Sequence, residues 1–87
     1  MSQFVYVYVL RSQRHGQFYV GFTGDLKRRF KEHNDGRVDS TRSRAPLDLI
    51  YYEACRDERD AMQREKYLKT AWGKRYLKGR LRNYLTG

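Results

Sequence analysis

The chain has 87 residues, enough for one small domain spanning residues 1–87 and too few for two. Charged residues make up 33% of it and aromatic residues 15%, which favours a folded domain over a disordered tail. Lysine and arginine outnumber aspartate and glutamate by 19 to 10, and the net charge of +9 favours a polyanionic partner, most commonly nucleic acid, over a surface that serves only solubility. Charge alone does not separate DNA, RNA and an anionic membrane.

The single cysteine, Cys55, excludes an internal disulfide and a cysteine-rich zinc site. It lies in an apolar run, which favours a packed, reduced thiol over a nucleophile. No stretch approaches the roughly 20 apolar residues of a membrane span. The N-terminus lacks the pattern of a signal peptide. We therefore expect a cytoplasmic protein that does not bind membranes.

The first elements predict a β-hairpin. In residues 4–10 valines alternate with aromatic side chains, so both faces are apolar, which is typical of a central strand covered on both sides. Residues 18–22 predict a second strand, and the short connection around Gly16 makes the pair a hairpin. Tyr8 and Tyr19 are expected to face each other across this hairpin.

A helix is predicted next, beginning at Asp25 and ending at residues 34–36, where the sequence is Asn-Asp-Gly. One stripe of this helix carries Leu26, Phe30 and His33. Residues 37–45 are polar and basic without periodicity, which predicts an exposed loop.

The second half predicts one more strand and two helices. Residues 47–54, after Pro46, form the strand, and Asp57 begins a helix that ends near Gly73. We expect that helix to turn four side chains inward: Ala61, Met62, Leu68 and Trp72. Residues 74–85 predict a basic amphipathic helix whose core-facing side chains are Tyr76, Leu77, Leu81 and Leu85. The order strand, strand, helix, strand, helix, helix predicts an α+β fold, a small antiparallel or mixed sheet with helices packed on it.

Glu65 does not fit a purely structural interpretation. It lies on the stripe formed by Ala61, Leu68 and Trp72, where a carboxylate loses hydration unless a cation compensates for it. A divalent metal is one such cation, because hard cations prefer oxygen ligands. A salt bridge to a nearby arginine is the other, and the spacing does not separate the two.

Arg29 and His33 lie one helical turn apart and therefore share a face. A histidine on an apolar stripe is commonly a packing residue. Next to an arginine it is also a candidate for proton transfer or phosphate contact. The eight tyrosines also allow two interpretations, packing or catalysis. Most tyrosines pack across strands, whereas a catalytic tyrosine needs its pKa of about 10 lowered by nearby positive charge or metal.

Taken together, these residues resemble the GIY-YIG nuclease family. Its two strand motifs appear here as Tyr6-Val7-Tyr8 and Tyr19-Val20-Gly21. Arg29 lies in D-L-K-R-R-F-K-E-H, which is similar to the family's arginine-bearing helix. His33 matches the position of a tyrosine or histidine in the family, and Glu65 matches that of its metal-binding glutamate.

The match covers nearly the whole chain. The chain is most similar to small single-domain members, which resemble the N-terminal nuclease domain of the bacterial excision-repair nuclease. Two segments carry this likeness, S-T-R-S-R-A-P-L-D-L-I-Y-Y-E and R-E-K-Y-L-K. The resemblance implies a three-stranded antiparallel sheet flanked by helices. It also implies a hydrolase, an endonuclease that cuts DNA with one Mg²⁺ or Mn²⁺ and has low sequence specificity, with a role in DNA repair.

The resemblance also implies roles for five residues. Glu65 would bind the metal, and Arg29 would stabilise the charged transition state. Tyr8 would orient or deprotonate the attacking water, with help from His33. Tyr19 would contact the phosphate or position Tyr8.

Basic residues outside this group are expected to hold the DNA backbone without reading bases. They are Lys27, Arg28, Arg37, Arg42, Arg44, Lys74, Arg75 and Lys78. The small surface of one short domain favours single-stranded or irregular DNA, and duplex, branched DNA and RNA remain alternatives. A catalytically inactive nucleic-acid-binding module and a nuclease subunit that needs a protein partner are the rival functions. The oligomeric state is left open.

Overall fold

The strand predicted to be covered on both sides lies in the middle of the sheet. In the computed structural model, which describes residues 3–87, β1 (Val5–Ser12) pairs antiparallel with β2 (Phe18–Thr23) on one edge and with β3 (Leu47–Cys55) on the other. The sheet is therefore fully antiparallel, the first of the two predicted alternatives. Both faces of β1 are buried, as its two-sided apolar pattern predicts.

Helices cover the two faces of the sheet. On the face that carries Tyr8 and Leu10, helix α1 (Leu26–Asn34) packs through Leu26 and Phe30. On the opposite face, α2 (Glu58–Leu68) and α3 (Ala71–Arg80) bury leucine and alanine side chains against the valines of β1 and β2. The α+β prediction is confirmed, with the sheet as the middle of three layers.

The boundaries of α1 follow the sequence signals. The side chain of Asp25 accepts a hydrogen bond from the backbone N–H of Arg28 at 3.1 Å, which satisfies a free donor at the start of the helix. The helix ends before Gly36, whose φ of +76° is a backbone conformation that suits glycine.

The segment 37–45 is not simply the exposed loop that its polar sequence predicts. Val38 and Thr41 are buried, and a short 3₁₀ turn follows at Arg42–Arg44. The hydroxyl of Ser12 donates a hydrogen bond to the carbonyl of Arg44 at 2.7 Å and ties the turn to β1. The buried side chains have no hydrophobic periodicity, so the pattern could not reveal them.

The predicted long helix from Asp57 to Gly73 is wrong at its C-terminal end. It divides after Leu68, and the Thr70 side chain caps a new helix, α3, by accepting from the N–H of Gly73 at 3.1 Å. A Cβ at Gly73 would overlap the carbonyl oxygen of Tyr67, so glycine allows α3 to start close against the end of α2.

Two buried assignments are wrong, and the division accounts for the one at Trp72, which lies beyond it. Ala61 and Leu68 are fully buried as predicted, whereas Met62 is 39% exposed and Trp72 is 67% exposed. The predicted helix over residues 74–85 is also divided, at Leu81, into α3 and a short α4 (Arg82–Thr86). Of its four predicted core side chains, Leu77 is fully buried and Tyr76 is exposed; the other two, Leu81 and Leu85, are half-buried.

The part of the chain that the structure describes contains no helix with the length and apolar character needed to cross a bilayer.

Candidate active site

A chain of hydrogen bonds connects the centre of β1 to the segment after α1. The Tyr8 hydroxyl lies 2.8 Å from Nε2 of His33, and Nδ1 of His33 lies 2.7 Å from the Thr41 hydroxyl. All three side chains are buried, with Tyr8 only 1% exposed. Among the described residues, these two hydroxyls are the hydrogen-bond partners of the buried imidazole.

The hydrogen bonds of the Thr41 hydroxyl indicate which nitrogen of His33 carries the proton. It has one proton, which it donates to the carbonyl of Val38 at 3.5 Å, and it therefore accepts from Nδ1–H of His33. Nε2 of the neutral ring is then unprotonated and accepts from the Tyr8 hydroxyl. The geometry thus assigns one tautomer, in which His33 can take a proton from Tyr8.

The protonation states at neutral pH agree with this assignment. Burial, together with the positive charge of Arg29, lowers the pKa of His33 to about 4, so the imidazole is neutral. Burial raises the pKa of Tyr8 to about 12, against the opposing effect of the Arg29 guanidinium, so the phenol is protonated. The requirement that a catalytic tyrosine have a lowered pKa is therefore not met in this structure.

Arg29 and Tyr19 flank this chain. Arg29 lies one turn before His33, and its Nη1 is 3.1 Å from the carboxylate of Glu32. The ring of Tyr19 lies 5.1 Å from that of His33 and 6.4 Å from that of Tyr8. The two tyrosines lie near each other across the hairpin, as expected, although Tyr8 directly opposes Gly21 and Tyr19 directly opposes Leu10. They are diagonal neighbours, and their rings still meet.

Glu65 approaches the same group from α2. Its negative charge contributes to raising the pKa of Tyr8, so the carboxylate and the phenol share one electrostatic environment. The Glu65 side chain is 18% exposed, and its carboxylate binds Lys69 at 3.1 Å. The salt bridge that the sequence offers as the alternative to a metal ion is thus present. Its cation is Lys69, one turn away, and not an arginine.

The donor set at Glu65 fits a hard divalent ion bound mainly by water and substrate. Residues 3–87 hold no group of three or more metal-ligating side chains, so Glu65 belongs to no such cluster. Mg²⁺ commonly binds through one or two carboxylates, keeps several waters and takes further oxygens from phosphates. A partly desolvated carboxylate whose ion-pair partner is a single lysine meets that description.

Comparison with known proteins identifies the domain. The family described as the GIY-YIG catalytic domain matches residues 4–78, which include Tyr8, Tyr19, Arg29, His33 and Glu65. The chain belongs to the GIY-YIG family. The description of the matching model is that of a catalytic domain.

Several small proteins share this GIY-YIG sequence. A UPF0213 protein of Bacillus licheniformis is 46% identical over 65 residues, which are 74% of this chain and 66% of that protein, just under two thirds of its length. A UPF0213 protein of Streptococcus agalactiae is 42% identical over 65 residues, covering 74% of this chain and 73% of that protein. The solution NMR structure of the UPF0213 protein from Bacillus halodurans has the same fold, with a TM-score of 0.53 and 34% identity over 85% of this chain and 81% of that one.

Two further residues lie at this site, Gly21 and Thr41, to which the sequence assigned no role. A Cβ at Gly21 would lie 2.5 Å from the Tyr8 hydroxyl oxygen and 2.7 Å from Cζ, so the Tyr8 ring packs directly on this glycine. A glycine inside a strand is a signal of such close approach, and the second strand motif contains it. Thr41 had no comparable signal, because it lies among other polar residues in the segment 37–45.

The predicted DNA-binding residues of the GIY-YIG domain do not form one surface. Lys74 lines a cavity of about 210 Å³ together with Tyr19 and Lys69, and Lys74 and Lys78 line a neighbouring one of about 440 Å³. Lys74 is therefore adjacent to Tyr19 of the site, and Lys78 lies next to Lys74. Arg75 lies instead over the ring of Trp72, at 4.9 Å from its centroid.

The remaining basic residues lie on α1 and in the segment 37–45. Arg28 is close to the carboxylates of Asp25 and Glu32, at 4.0 and 3.9 Å, and Arg42 pairs with Asp39. Among the others, Lys27 and Arg37 are exposed and Arg44 is half-buried.

Proposed function

We propose that this chain is an endonuclease that hydrolyses phosphodiester bonds in DNA with the help of one divalent ion, Mg²⁺ or Mn²⁺. The observation that carries the proposal is the buried hydrogen-bond chain from Tyr8 through His33 to Thr41, with Arg29 and Glu65 beside it. A protein that only bound nucleic acid would gain nothing from a buried phenol–imidazole pair.

Tyr8 and His33 supply a route for one proton. The attacking water transfers a proton to the Tyr8 hydroxyl oxygen as that hydroxyl passes its own proton to Nε2 of His33, 2.8 Å away. Tyr8 is neutral before and after the transfer, so its raised pKa is no obstacle. The charge on His33 forms while a phosphate binds nearby, and that phosphate favours the imidazolium.

Arg29 and Tyr19 bind the phosphate. The guanidinium of Arg29 is partly exposed, and its planar fork matches two phosphate oxygens when it leaves Glu32. The Tyr19 hydroxyl contacts the same phosphate, and the Tyr19 ring packs edge-on against the imidazole of His33.

Glu65 would hold the divalent ion. Its single carboxylate leaves positions for water and for phosphate oxygens, and the Lys69 ammonium yields its place when the ion binds. When bound, the ion would stabilise negative charge that develops on the phosphate and the leaving oxygen.

Lys74 and Lys78 extend the positive surface from Tyr19 along α3 and hold the DNA backbone. Such contacts carry no sequence information, which supports low sequence specificity. We propose single-stranded or irregular DNA, such as repair intermediates, as the substrate class.

A cleavage assay tests the proposal. Labelled single-stranded, duplex and branched DNA are incubated with Mg²⁺, Mn²⁺ or EDTA, and Glu65→Gln is compared with Glu58→Gln, an exposed glutamate on the same helix. We expect metal-dependent cutting by wild type and Glu58→Gln, and a loss of about 10²–10³-fold in Glu65→Gln, the usual effect of removing one electrostatic group. Binding without cutting on every substrate and metal would contradict the proposal and favour a binding module or a partner-dependent subunit.

A further inference from the structure

Aromatic side chains stand exposed on the outer side of α2 and α3, away from Lys74. Trp72 is 67% exposed, more than any other large hydrophobic side chain in residues 3–87, and Tyr67 and Tyr76 are 41% and 36% exposed. On α3, the buried Gly73 and Leu77 face the core. Successive residues on a helix are about 100° apart. Trp72 and Tyr76 therefore lie on one side of the line through Gly73 and Leu77, and Lys74 lies on the other side.

Two arginines are interleaved with these rings. The guanidinium of Arg75 lies 4.9 Å from the centroid of Trp72. That of Arg64 lies 5.2 Å from the ring of Tyr67 and 4.9 Å from the ring of Tyr76. We call these five residues the Trp72 face.

The two arginines have different electrostatic roles. Arg64 is neutralised by a two-pronged salt bridge to Glu53, at 2.9 and 3.0 Å, which fixes its guanidinium between the tyrosines. Arg75 makes no ion pair within the described residues 3–87, so its charge is available to a partner. From Lys66 to Gly87 the sequence contains no aspartate or glutamate.

This combination identifies the chemistry of a partner. Outside the Arg64–Glu53 pair, the Trp72 face carries the charge of Arg75, which attracts a polyanion, and its flat aromatic rings can stack on the faces of unpaired bases. The bases of a duplex are stacked on each other and do not present those faces. A protein partner complementary to this positive charge would present acidic side chains. Such side chains would not stack on the exposed ring of Trp72.

We propose that the Trp72 face is a stacking platform for unpaired bases of single-stranded DNA, separate from the cleavage site. This inference rests on the proposed function for the identity of the nucleic acid. A strand held at Tyr19 and Lys74 reaches the platform by crossing α3, a helix roughly 10 Å wide. The platform would thus select single strands or unpaired regions.

Intrinsic fluorescence tests the platform directly, because Trp72 is the only tryptophan in the chain. Wild-type protein in EDTA is titrated with oligothymidylate and with a duplex of equal length, and fluorescence and anisotropy are recorded together. We expect oligothymidylate to quench Trp72 in parallel with binding, and the duplex to bind with little quenching. Binding of oligothymidylate without quenching, or equal quenching by both, would overturn the proposal.

Variants separate stacking from general charge. Stacking of one base contributes about 1–3 kcal/mol, so Trp72→Ala is expected to weaken oligothymidylate binding at least about fivefold. Trp72→Phe keeps a ring and retains most of the affinity. Tyr84→Ala is the matched control, since Tyr84 is 49% exposed and also lies against an arginine, Arg11. Unchanged affinity in Trp72→Ala, or an equal loss in Tyr84→Ala, would contradict the platform.

The two proposals fail independently in these assays. Quenching by single strands in a protein that never cuts DNA would support the platform and contradict the nuclease. Metal-dependent cutting of single strands with unchanged rate and affinity in Trp72→Ala would contradict the platform and support the nuclease.

Discussion

Replacement of Thr41 by valine tests the hydrogen-bond chain at its far end. Valine has the shape of threonine without the hydroxyl, so the variant removes the partner of Nδ1 of His33, 2.7 Å away, and opens no cavity. A buried N–H without a partner costs about 1–3 kcal/mol. In a domain of this size each kcal/mol lowers the midpoint of thermal unfolding by about 4–8 °C.

The same substitution should affect catalysis beyond its effect on stability. Without Thr41, the proton of His33 is no longer held on Nδ1 and can occupy Nε2, which then cannot accept from Tyr8. Proton transfer by a positioned side chain contributes about 10²–10⁴-fold to a rate, so we expect Thr41→Val to lower the single-turnover cleavage rate about 10²-fold. DNA affinity should be unchanged, because Thr41 is buried.

Thr41→Ser is the matched control, because serine keeps the hydroxyl. Cleavage is measured well below the unfolding midpoint of each variant, and ¹⁵N NMR of the imidazole distinguishes the two tautomers. Thr41→Ser should retain both the rate and the Nδ1–H form. A wild-type rate in Thr41→Val, or an equal loss in both variants, would refute the role of Thr41 in positioning His33.

Three further predictions concern pH, packing and salt. Because the folded-state pKa of His33 is about 4 and its ordinary value is 6.5, the unfolded chain binds the proton first, so stability is full above pH about 6.5 and falls by up to about 3 kcal/mol as the pH drops towards 4. In His33→Gln, the free energy of unfolding from denaturation curves should not show this decrease at low pH. The same pH dependence in the variant and the wild type would contradict the prediction. Gly21→Ala places a methyl group 2.5 Å from the Tyr8 hydroxyl oxygen and should cost about 1–3 kcal/mol in stability and most cleavage activity, whereas Gly24→Ala, where a Cβ meets nothing within 4 Å, should be neutral in both assays. Lys74→Gln should reduce the slope of log affinity against log salt for single-stranded DNA by about 0.7, measured by anisotropy, and an unchanged slope would remove this lysine from the backbone contacts.

Elements whose signals are local could be predicted from the sequence. The two-sided apolar pattern of residues 4–10 identified the central strand, because both faces of β1 are buried. Asp25 caps α1 as its side-chain chemistry predicts. His33 stood out because it occupies a core position on an apolar stripe, and the structure shows that it is fully buried there.

Features that depend on tertiary contacts could not be predicted. Trp72 fits the apolar stripe of an unbroken helix, yet the Thr70 cap ends that stripe and turns Trp72 to solvent. Thr41 is a buried partner of His33, eight residues away along an irregular segment, and no sequence period reveals that contact. Strand motifs could not give the register that pairs Tyr8 with Gly21.

The most direct test of the central claim is the single-turnover rate of DNA cleavage in Tyr8→Phe. The change removes one hydroxyl, the group that we propose connects the attacking water to His33, and keeps the ring that packs on Gly21. Tyr52→Phe is the matched control, because Tyr52 is the partner of Tyr8 on β3 and is 53% exposed. We expect metal-dependent cleavage by wild type and Tyr52→Phe, and a loss of at least about 10²-fold in Tyr8→Phe with unchanged DNA affinity. Equal rates in the two variants would show that the phosphodiester is not cut at this site.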